Sequence, residues 1–330
     1  METNRKKIVC IGGGTGTFVV LRGLKHHPVS LTAIVTMSDS GGSNKRIRDE
    51  FGLLPTSDIR QCFVALSDEN GGVGLLRKLF MHRFEKGKGI SGMTFGNLFM
   101  AALSDILGSQ KEAIKQTGKV LRIRGTVIPV TYTQTNLRAQ YEDGHTVSEE
   151  HFIDEPIHDG RLKIVSVELK PKAQANPDAI RAIEQADLIV LGPGDLYTSL
   201  IPNLLISGIS GAIKRSKAKK VYIVNLMTKY GQTYNFTARD HVNALSEYIG
   251  SSTLDYVLIN NKKLPKTALD LYKKSHEFPV EDNLNNDNSH KVIRADLASQ
   301  ALITRAATDR LIRSLIRHDS TKLGGVLIKL

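Results

Sequence analysis

Residues 8–17 read IVCIGGGTGT, a run of strand-forming residues that passes directly into four glycines. We predict a buried strand over residues 6–11, a helix over residues 17–25 and a second strand, LTAIVTM, at residues 31–37. A strand, a glycine turn, a helix and a second strand form the opening unit of a parallel sheet with crossover helices. This stretch therefore predicts a Rossmann-like α/β fold.

The alternation of strands and helices continues along most of the chain. Residues 57–67 and 96–107 carry apolar side chains at the spacing of one helix face. From residue 176 onward we predict helices at 177–186, 204–216 and 238–249 and strands at 187–192, 220–226 and 256–260. The predicted fold class is α/β, with a doubly wound, mostly parallel sheet.

One segment breaks this alternation. Residues 120–170 contain VLRIRGTVIPVT, LRAQYEDGHTVS and LKIVSVELK, which have little helical periodicity, and Asp143-Gly144 is typical of a hairpin turn. We predict a β-rich insertion at about residues 120–170 and a loose, polar loop at about residues 281–290. No long linker divides the chain, so residues 1–330 are expected to form a single α/β domain.

The chain is basic, with a formal net charge of +12. Its positive charges cluster at residues 214–220, at residues 261–266, and at Arg305, Arg310, Arg313 and Arg317. Such an excess favours anionic partners. However, no helix-turn-helix, zinc or RNA-binding motif accompanies it, and a chain without tryptophan and with 6% aromatic residues has few platforms for stacking bases. We therefore expect a solvated basic surface and no nucleic-acid partner.

No membrane association is expected from the sequence. The N-terminal METNRKK is not followed by an apolar leader, and the apolar region at residues 188–213 is interrupted by prolines and polar residues. The two cysteines, Cys10 and Cys62, both lie in apolar contexts, which predicts buried thiols in a reducing compartment. The expected location is the cytoplasm.

Small and polar residues follow five predicted strands. The segments GGGTGT (12–17), SDSGGSNKRIR (38–48), GPGDLYTS (192–199), NLMTKYGQT (225–233) and NN (260–261) each come directly after a strand. Because parallel strands end at the same edge of a sheet, these segments are expected to line one cleft. Glycine and small polar side chains let an anion approach the backbone, so we predict a cleft for a phosphorylated ligand.

The opening glycine loop matches neither standard nucleotide motif. A P-loop would need Lys and Ser or Thr after its last glycine, but Thr17 and Phe18 follow Gly16. A dinucleotide fingerprint would need a third glycine at the position of Thr17, although Asp39 could still serve as the ribose-binding acid. The alternative is that the glycines only allow a tight turn between strand and helix.

Several charged and polar residues near these loops are candidates for binding. Asp39, followed by two glycines and by Arg46 and Arg48, predicts a phosphate site that could include a divalent cation. Asp58 and Asn97 stand at the starts of predicted helices and could bind a ligand or simply cap those helices. For Asp39 a capping role is likewise the alternative. The pair His318-Asp319 is interpreted as structural.

Taken together, these segments resemble the superfamily of gluconeogenesis factors (YvcK-like proteins) and 2-phospho-L-lactate transferases (CofD-like enzymes). The resemblance covers almost the whole chain and is closer to the gluconeogenesis-factor branch. It rests, in order, on GGGTG, MSDSGGSNKRIRDEFGLLPTSDIRQCFVALSD, GNLFMAAL, GPGDLYTSLIPNLL, NLMTKYGQT, DHVNAL and RHDSTKL.

The resemblance implies a Rossmann-like core, often dimeric, with the ligand in the predicted cleft. The transferase branch moves a phospholactyl group from a nucleotide donor to the deazaflavin Fo with a divalent cation. The gluconeogenesis-factor branch is tied to gluconeogenic growth and cell shape, and it binds UDP-N-acetylglucosamine. By similarity, Tyr272 and Arg317 are expected to contact the sugar nucleotide.

Three departures from the family pattern lie beside the chemical centre that the resemblance implies. The family has two adjacent aspartates where this chain has Asp39-Ser40, Ser-Gly where it has Asn44-Lys45, and Pro-Gly-Asp where it has Thr56-Ser57-Asp58. The loss of one carboxylate weakens a two-carboxylate metal site, and the loss of glycines narrows the approach to the backbone. These changes count against transferase activity more than against nucleotide binding.

The leading hypothesis is therefore a sugar-nucleotide-binding regulatory factor, ahead of a phospholactyl transferase, a nicotinamide-dependent oxidoreductase and a nucleic-acid binder. No catalytic residue is assigned, no cofactor is expected with certainty, and Mg²⁺ is expected at Asp39 only together with a bound nucleotide. The candidate ligand- or phosphate-binding residues are Gly12, Gly13, Gly14, Thr15, Gly16, Asp39, Gly41, Gly42, Ser43, Arg46, Arg48, Asp58, Asn97, Gly192, Gly194, Asn225, Tyr272 and Arg317.

Overall fold

The computed structural model describes residues 5–69, 71–285, 290–300 and 315–330. Its strands are β1 (Lys7–Gly12), β2 (Ser30–Val35), β3 (Thr126–Pro129), β4 (Asn136–Tyr141), β5 (Thr146–Ser148), β6 (Ile164–Lys170), β7 (Leu188–Leu191), β8 (Lys219–Ile223), β9 (Tyr256–Asn260) and β10 (Lys291–Ala295). Seven of them form one parallel sheet in the order β10-β9-β8-β7-β1-β2-β3. The predicted α/β class with a mostly parallel sheet is confirmed.

Helices flank this sheet. They are α1 (Gly14–Leu24), α2 (Gly42–Phe51), α3 (Ser57–Leu66), α4 (Gly71–Met81), α5 (Phe95–Leu107), α6 (Gln110–Val120), α7 (Glu150–Asp154), α8 (Pro177–Glu184), α9 (Ile201–Leu204), α10 (Ile209–Arg215), α11 (Ala238–Ile249), α12 (Lys266–Lys274) and α13 (Ser320–Leu327). A short π-helical turn, Leu196–Leu200, precedes α9. No helix among the described residues has both the length and the apolar character needed to span a bilayer.

Strand β1 lies in the interior of the sheet because its side chains are apolar on both faces. Ile8 pairs with Leu31 of β2 on one side and with Leu188 of β7 on the other, and all three are at most 3% exposed. From β1 the chain adds β2 and β3 on one side and β7 to β10 on the other, so the strand order reverses there. Loops diverge at such a reversal and leave a crevice at the carboxyl edge of the sheet.

The β-rich insertion begins later than predicted. Strand β3 belongs to the main sheet, where Val127 pairs with Ala33 of β2. The separate antiparallel sheet has the order β5-β4-β6, and Asp143 and Gly144 form the turn between β4 and β5 as predicted. The sequence of β3 alone did not reveal its partner strand, because a short buried strand has the same apolar pattern in a parallel sheet and in a hairpin.

Two helices also differ from prediction. Helix α1 starts at Gly14, three residues before the predicted Thr17, because the glycine loop itself is already helical. The helix predicted at residues 204–216 is shorter: α10 begins only at Ile209, because Gly208 adopts a left-handed φ of 100°, and Leu204 is the last residue of α9. In the predicted loop at residues 281–290, residues 286–289 lie outside the described part of the chain.

Candidate functional site

A cavity of about 830 Å³ opens at the carboxyl edge of the sheet, beside the reversal of strand order. The loops after four neighbouring strands contribute to its lining: Thr15 follows β1, Asp39 follows β2, Gly194 follows β7 and Asn225 follows β8. The side-chain oxygen of Asn225 accepts a hydrogen bond from the N–H of Gly194 at 3.3 Å, which links the loops after β7 and β8. The predicted cleft and the observed cavity therefore lie at the same edge of the sheet.

Two glycines of the opening loop are required by other atoms of the protein itself. A Cβ atom on Gly16 would overlap the backbone carbonyl of Pro193, and a Cβ atom on Gly13 would lie 2.5 Å from Oδ2 of Asp58. These glycines let the loop after β7 and the start of α3 pack against the loop after β1. Close packing against other segments of the chain thus accounts for both glycines without any phosphate.

Two other glycines lie at helix starts that face the cavity. Gly14 (φ 59°) begins α1 and Gly42 (φ 50°) begins α2, and both line the cavity. A Cβ atom on Gly42 would have no atom within 4 Å, so open space remains beside it. The first N–H groups of two helices of ten or more residues therefore meet at one cavity, an arrangement that attracts anions.

Asp39 is held in place at the start of α2. Its Oδ1 accepts a hydrogen bond from the N–H of Gly41 at 2.9 Å, and its Oδ2 accepts one from Nδ2 of Asn44 at 2.5 Å. Burial raises the pKa of Asp39, while these two hydrogen bonds act in the opposite direction. The carboxyl group is thus fixed at the cavity wall, as the capping alternative and the binding hypothesis both require.

The residues that depart from the family pattern bond to one another. Oδ1 of Asn44 accepts hydrogen bonds from the N–H of Thr56 at 3.0 Å and from the N–H and Oγ of Ser57 at 3.1 Å and 2.9 Å. Oγ of Ser57 in turn accepts a hydrogen bond from Nδ2 of Asn97 at 3.1 Å. Asn44, Ser57 and Asn97 therefore join α2, α3 and α5 through their side chains.

Fourteen of the eighteen predicted site residues line the cavity, and four do not. Gly12 and Gly192 lie behind the lining loops. Asn97 is fully buried, and its Oδ1 accepts a hydrogen bond from Nε of Arg60 at 3.1 Å, so it holds helices together. Arg48 points away from the cavity, where it donates a hydrogen bond at 3.1 Å to Asn136 in the insertion.

Carboxyl groups that the sequence did not single out also line the cavity. Glu150 and Asp154 come from α7 in the insertion, Asp195 follows β7, and Glu277 follows α12. Asp195 could have been found in the segment GPGDLYTS, which was already identified as a strand end. No sequence signal marked Glu150, Asp154 or Glu277, because only the tertiary packing of the insertion and of residues 275–279 brings them to the cavity.

Burial shifts the pKa of several of these carboxyl groups upward. Burial, together with repulsion from Asp39, raises the pKa of Asp58 to about 7. Burial also raises the pKa of Asp195 to about 6 and that of Glu277 to about 7, and it raises the pKa of Glu150. A cavity wall with such groups takes up protons near neutral pH.

Lys229 is the basic group at the centre of this acidic wall. Its Nζ lies 3.6 Å from Oδ1 of Asp154 and 4.0 Å from Oε1 of Glu277. Burial acts to lower the pKa of Lys229, but attraction to Asp154, Asp195 and Glu277 outweighs it and raises the pKa. The side chain therefore stays a cation at neutral pH, and it can bind a phosphate or a sugar hydroxyl.

The donor chemistry of the cavity suits a divalent cation only in part. Carboxylate oxygens such as those of Asp39 are the ligands that Mg²⁺ prefers. Among the described residues, however, no three or more His, Cys, Asp and Glu side chains are arranged to hold a metal ion. Mg²⁺ often binds through one or two carboxylates together with substrate phosphates, so the residues fit the ion only as partners of a bound phosphate.

The far end of the cavity is formed by α12 and the segment before α13. Oη of Tyr272 accepts hydrogen bonds from the N–H groups of Leu315 at 2.7 Å and Ile316 at 3.1 Å. Tyr272 and Arg317 both line the cavity, as the family resemblance implies for ligand contacts. The hydroxyl of Tyr272 thus fixes the backbone that presents Arg317.

The segment RHDSTKL is organised differently from the sequence-based interpretation. Residues 315–319 are not helical, and Asp319 caps the start of α13 by accepting hydrogen bonds from the N–H groups of Thr321 and Lys322. His318 is buried, which lowers its pKa to about 4. The pair His318-Asp319 thus stands at a helix start, where Asp319 has a structural role. Arg305, Arg310 and Arg313 lie outside the described residues.

Comparisons with known proteins agree with this architecture. The family model described as 2-phospho-L-lactate transferase CofD matches residues 8–298. The gluconeogenesis factor of Bacillus subtilis is 39% identical over 326 residues, covering 99% of this chain and 98% of that protein. The gluconeogenesis factor of Halalkalibacterium halodurans is 44% identical over 326 residues, covering 98% of this chain and 96% of that protein. A crystal structure of a protein from Bacillus halodurans superposes with a TM-score of 0.87 at 38% identity, covering 98% of this chain and all of that one.

Proposed function

Because this chain belongs to the gluconeogenesis factor family of the CofD-like superfamily, we propose that it is a cytoplasmic regulatory factor that binds a sugar nucleotide. The proposed ligand is UDP-N-acetylglucosamine or a close relative. The proposed role is to couple the level of that ligand to gluconeogenic growth and to cell shape.

The observation that carries this proposal is the cavity at the reversal of strand order. Its volume, about 830 Å³, is within the usual range of about 300–1,000 Å³ for ligand pockets. Positive potential for a diphosphate comes from the starts of α1 and α2 and from the side chains of Arg46, Lys229 and Arg317. Carboxyl groups such as Asp154 and Glu277 supply acceptors for the hydroxyls of a sugar.

A thermal-shift screen of uridine, adenine and guanine nucleotides and their sugar conjugates tests the proposal. A ligand at about 100 times its Kd adds about 2.7 kcal/mol to the free energy of unfolding. We expect uridine diphosphate sugars to raise the melting temperature, and adenine nucleotides to leave it unchanged. A screen in which no uridine nucleotide shifts melting at millimolar concentration would refute the proposed ligand.

A second candidate function, phospholactyl transfer to a deazaflavin, is favoured by one specific contact. The N–H of Ser40 donates a hydrogen bond to Oε2 of Glu150 at 3.4 Å. Although Ser40 replaces the second aspartate of the family pattern, the insertion brings a carboxylate to the same backbone position. Glu150 could therefore share with Asp39 a cation that is bound to the donor phosphates.

Mass spectrometry separates the two candidates. The protein is incubated with Mg²⁺, a phospholactyl nucleotide donor and Fo, beside the variants Asp39→Asn, Glu150→Gln and Ser40→Asp. Phosphorylated product from the natural chain that disappears in Asp39→Asn and Glu150→Gln would make the protein a transferase. Our leading proposal predicts no product from the natural chain, and product only from Ser40→Asp would show that the reaction was lost with the second aspartate.

A further inference from the structure

One of the basic clusters of the sequence lies next to the cavity. Residues 262–274 carry five lysines and a single carboxylate, Asp270. All five lysines are exposed, and none of them forms an ion pair within the part of the chain that the structure describes. We call this set the lysine rim; its members are Lys262, Lys263, Lys266, Lys273 and Lys274.

The lysine rim lies at the same edge of the sheet as the cavity. Lys262 and Lys263 lie two and three residues after Asn260, the last residue of β9, so they lie at the carboxyl edge. Tyr272 of α12 and Ser275 directly after α12 line the cavity, and the exposed Lys273 and Lys274 stand between them in the sequence. The rim therefore lies beside residues that line the cavity.

The interior of the cavity carries groups of both charges. Eight acidic side chains line it, against five arginine and lysine side chains. Within this mixed interior the helix starts of α1 and α2 and the side chain of Arg317 attract a diphosphate. Exposed positive charge beside the cavity adds to that attraction at longer range.

We propose that the lysine rim is an electrostatic entrance that concentrates phosphorylated anions at the mouth of the cavity and speeds their association. This proposal rests on the proposed function, because it takes the ligand to be a nucleotide diphosphate. Charges near a binding cleft raise the local concentration of an oppositely charged ligand without touching it in the complex. The rim therefore acts on the association rate and leaves the dissociation rate unchanged.

A second set of lysines provides a matched control. Lys119 lies in the last turn of α6, before β3, while Lys214 and Lys217 lie just before β8. These positions are at the amino edge of the sheet, opposite the cavity, and the three side chains are exposed and form no ion pair among the described residues. Their replacement changes the net charge by the same amount as replacement of three rim lysines.

Stopped-flow binding of a fluorescent UDP-N-acetylglucosamine analogue to the full chain tests the proposal. The rim variant is Lys262→Gln/Lys263→Gln/Lys274→Gln, and the control variant is Lys119→Gln/Lys214→Gln/Lys217→Gln. At low ionic strength we expect the association rate of the rim variant to fall about tenfold below that of the natural chain. The control variant should keep the natural rate, and the three rates should converge at about 1 M salt, where charges are screened within about 3 Å.

Equal association rates for the rim and control variants would refute the proposal that the lysine rim speeds association. Binding of the analogue would still confirm a nucleotide site. A rim variant with a natural association rate but faster dissociation would also refute that proposal, because the lysines would then contact the bound ligand or a structure around it. If the natural chain binds no uridine nucleotide, both the proposed function and the proposed role of the lysine rim are refuted.

Discussion

Asn44 of α2 and Ser57 of α3 form a hydrogen bond of 2.9 Å between the two helices. Oδ1 of Asn44 also accepts the N–H groups of Thr56 and Ser57, while its Nδ2 holds the carboxylate of Asp39. One amide side chain therefore sets the positions of two candidate ligand-binding segments relative to each other.

We predict that Asn44→Ala lowers the free energy of unfolding by about 1–3 kcal/mol, because it leaves buried N–H groups without an acceptor. Urea unfolding measures this change. Ser57→Ala is the matched comparison, since it removes one hydroxyl and leaves the backbone bonds to Asn44 intact, so it should cost less. Equal costs for the two variants would show that the amide does not organise the backbone of Thr56 and Ser57.

A second prediction concerns the packing of the opening loop. Gly16→Ala places a methyl group against the carbonyl of Pro193, so the strand loops must separate, and we expect a loss of about 1–3 kcal/mol of stability or failure to fold. Gly325→Ala in α13 is the control, because no atom lies within 4 Å of its Cβ position. That control should be neutral or more stable by up to about 1 kcal/mol. A stable Gly16→Ala protein would contradict the close approach of the two loops.

The strand ends and the cavity edge could be predicted from the sequence because both depend on local patterns. Buried runs such as β1 and small residues such as Gly42 are visible in a short window. The role of Glu150 could not be predicted, since it depends on how α7 of the insertion docks beside Ser40. The reasons for Gly13 and Gly16 were also hidden, because their partners Asp58 and Pro193 are distant in sequence.

A third prediction follows from the raised pKa of Asp58, which is about 7. A carboxyl group with a raised pKa binds its proton more tightly in the folded chain than in the unfolded chain. Its contribution to stability is therefore full below about pH 4 and is lost as the pH rises from about 4 to about 7. We expect Asp58→Asn to be more stable than the natural chain at pH 8, by about 1–3 kcal/mol, and similar to it at pH 4.

Chemical unfolding at pH 4 and pH 8 measures whether Asp58→Asn raises or lowers the free energy of unfolding. The exposed Asp105→Asn serves as a control for the change from a carboxyl group to an amide. If Asp58→Asn is less stable than the natural chain at pH 8, then the ionised carboxylate is stabilising and the raised pKa is wrong.

A fourth prediction separates two roles of Tyr272. If its hydroxyl acts by fixing the backbone that presents Arg317, then Tyr272→Phe should weaken sugar-nucleotide binding in the natural chain but have little further effect in Arg317→Ala. A direct contact between the hydroxyl and the ligand would instead give additive losses. Calorimetric titration of the two single variants and the double variant decides between these outcomes, and melting temperatures show that each variant is folded.

The most direct test of the account is a calorimetric titration of UDP-N-acetylglucosamine into the natural chain and into Arg317→Ala. We predict that the natural chain binds one ligand per chain and that Arg317→Ala binds at least about tenfold more weakly, a loss of about 1.4 kcal/mol, with its melting temperature retained. No binding heat from the natural chain at millimolar ligand, or undiminished affinity in a folded Arg317→Ala, would contradict a sugar-nucleotide site in this cavity.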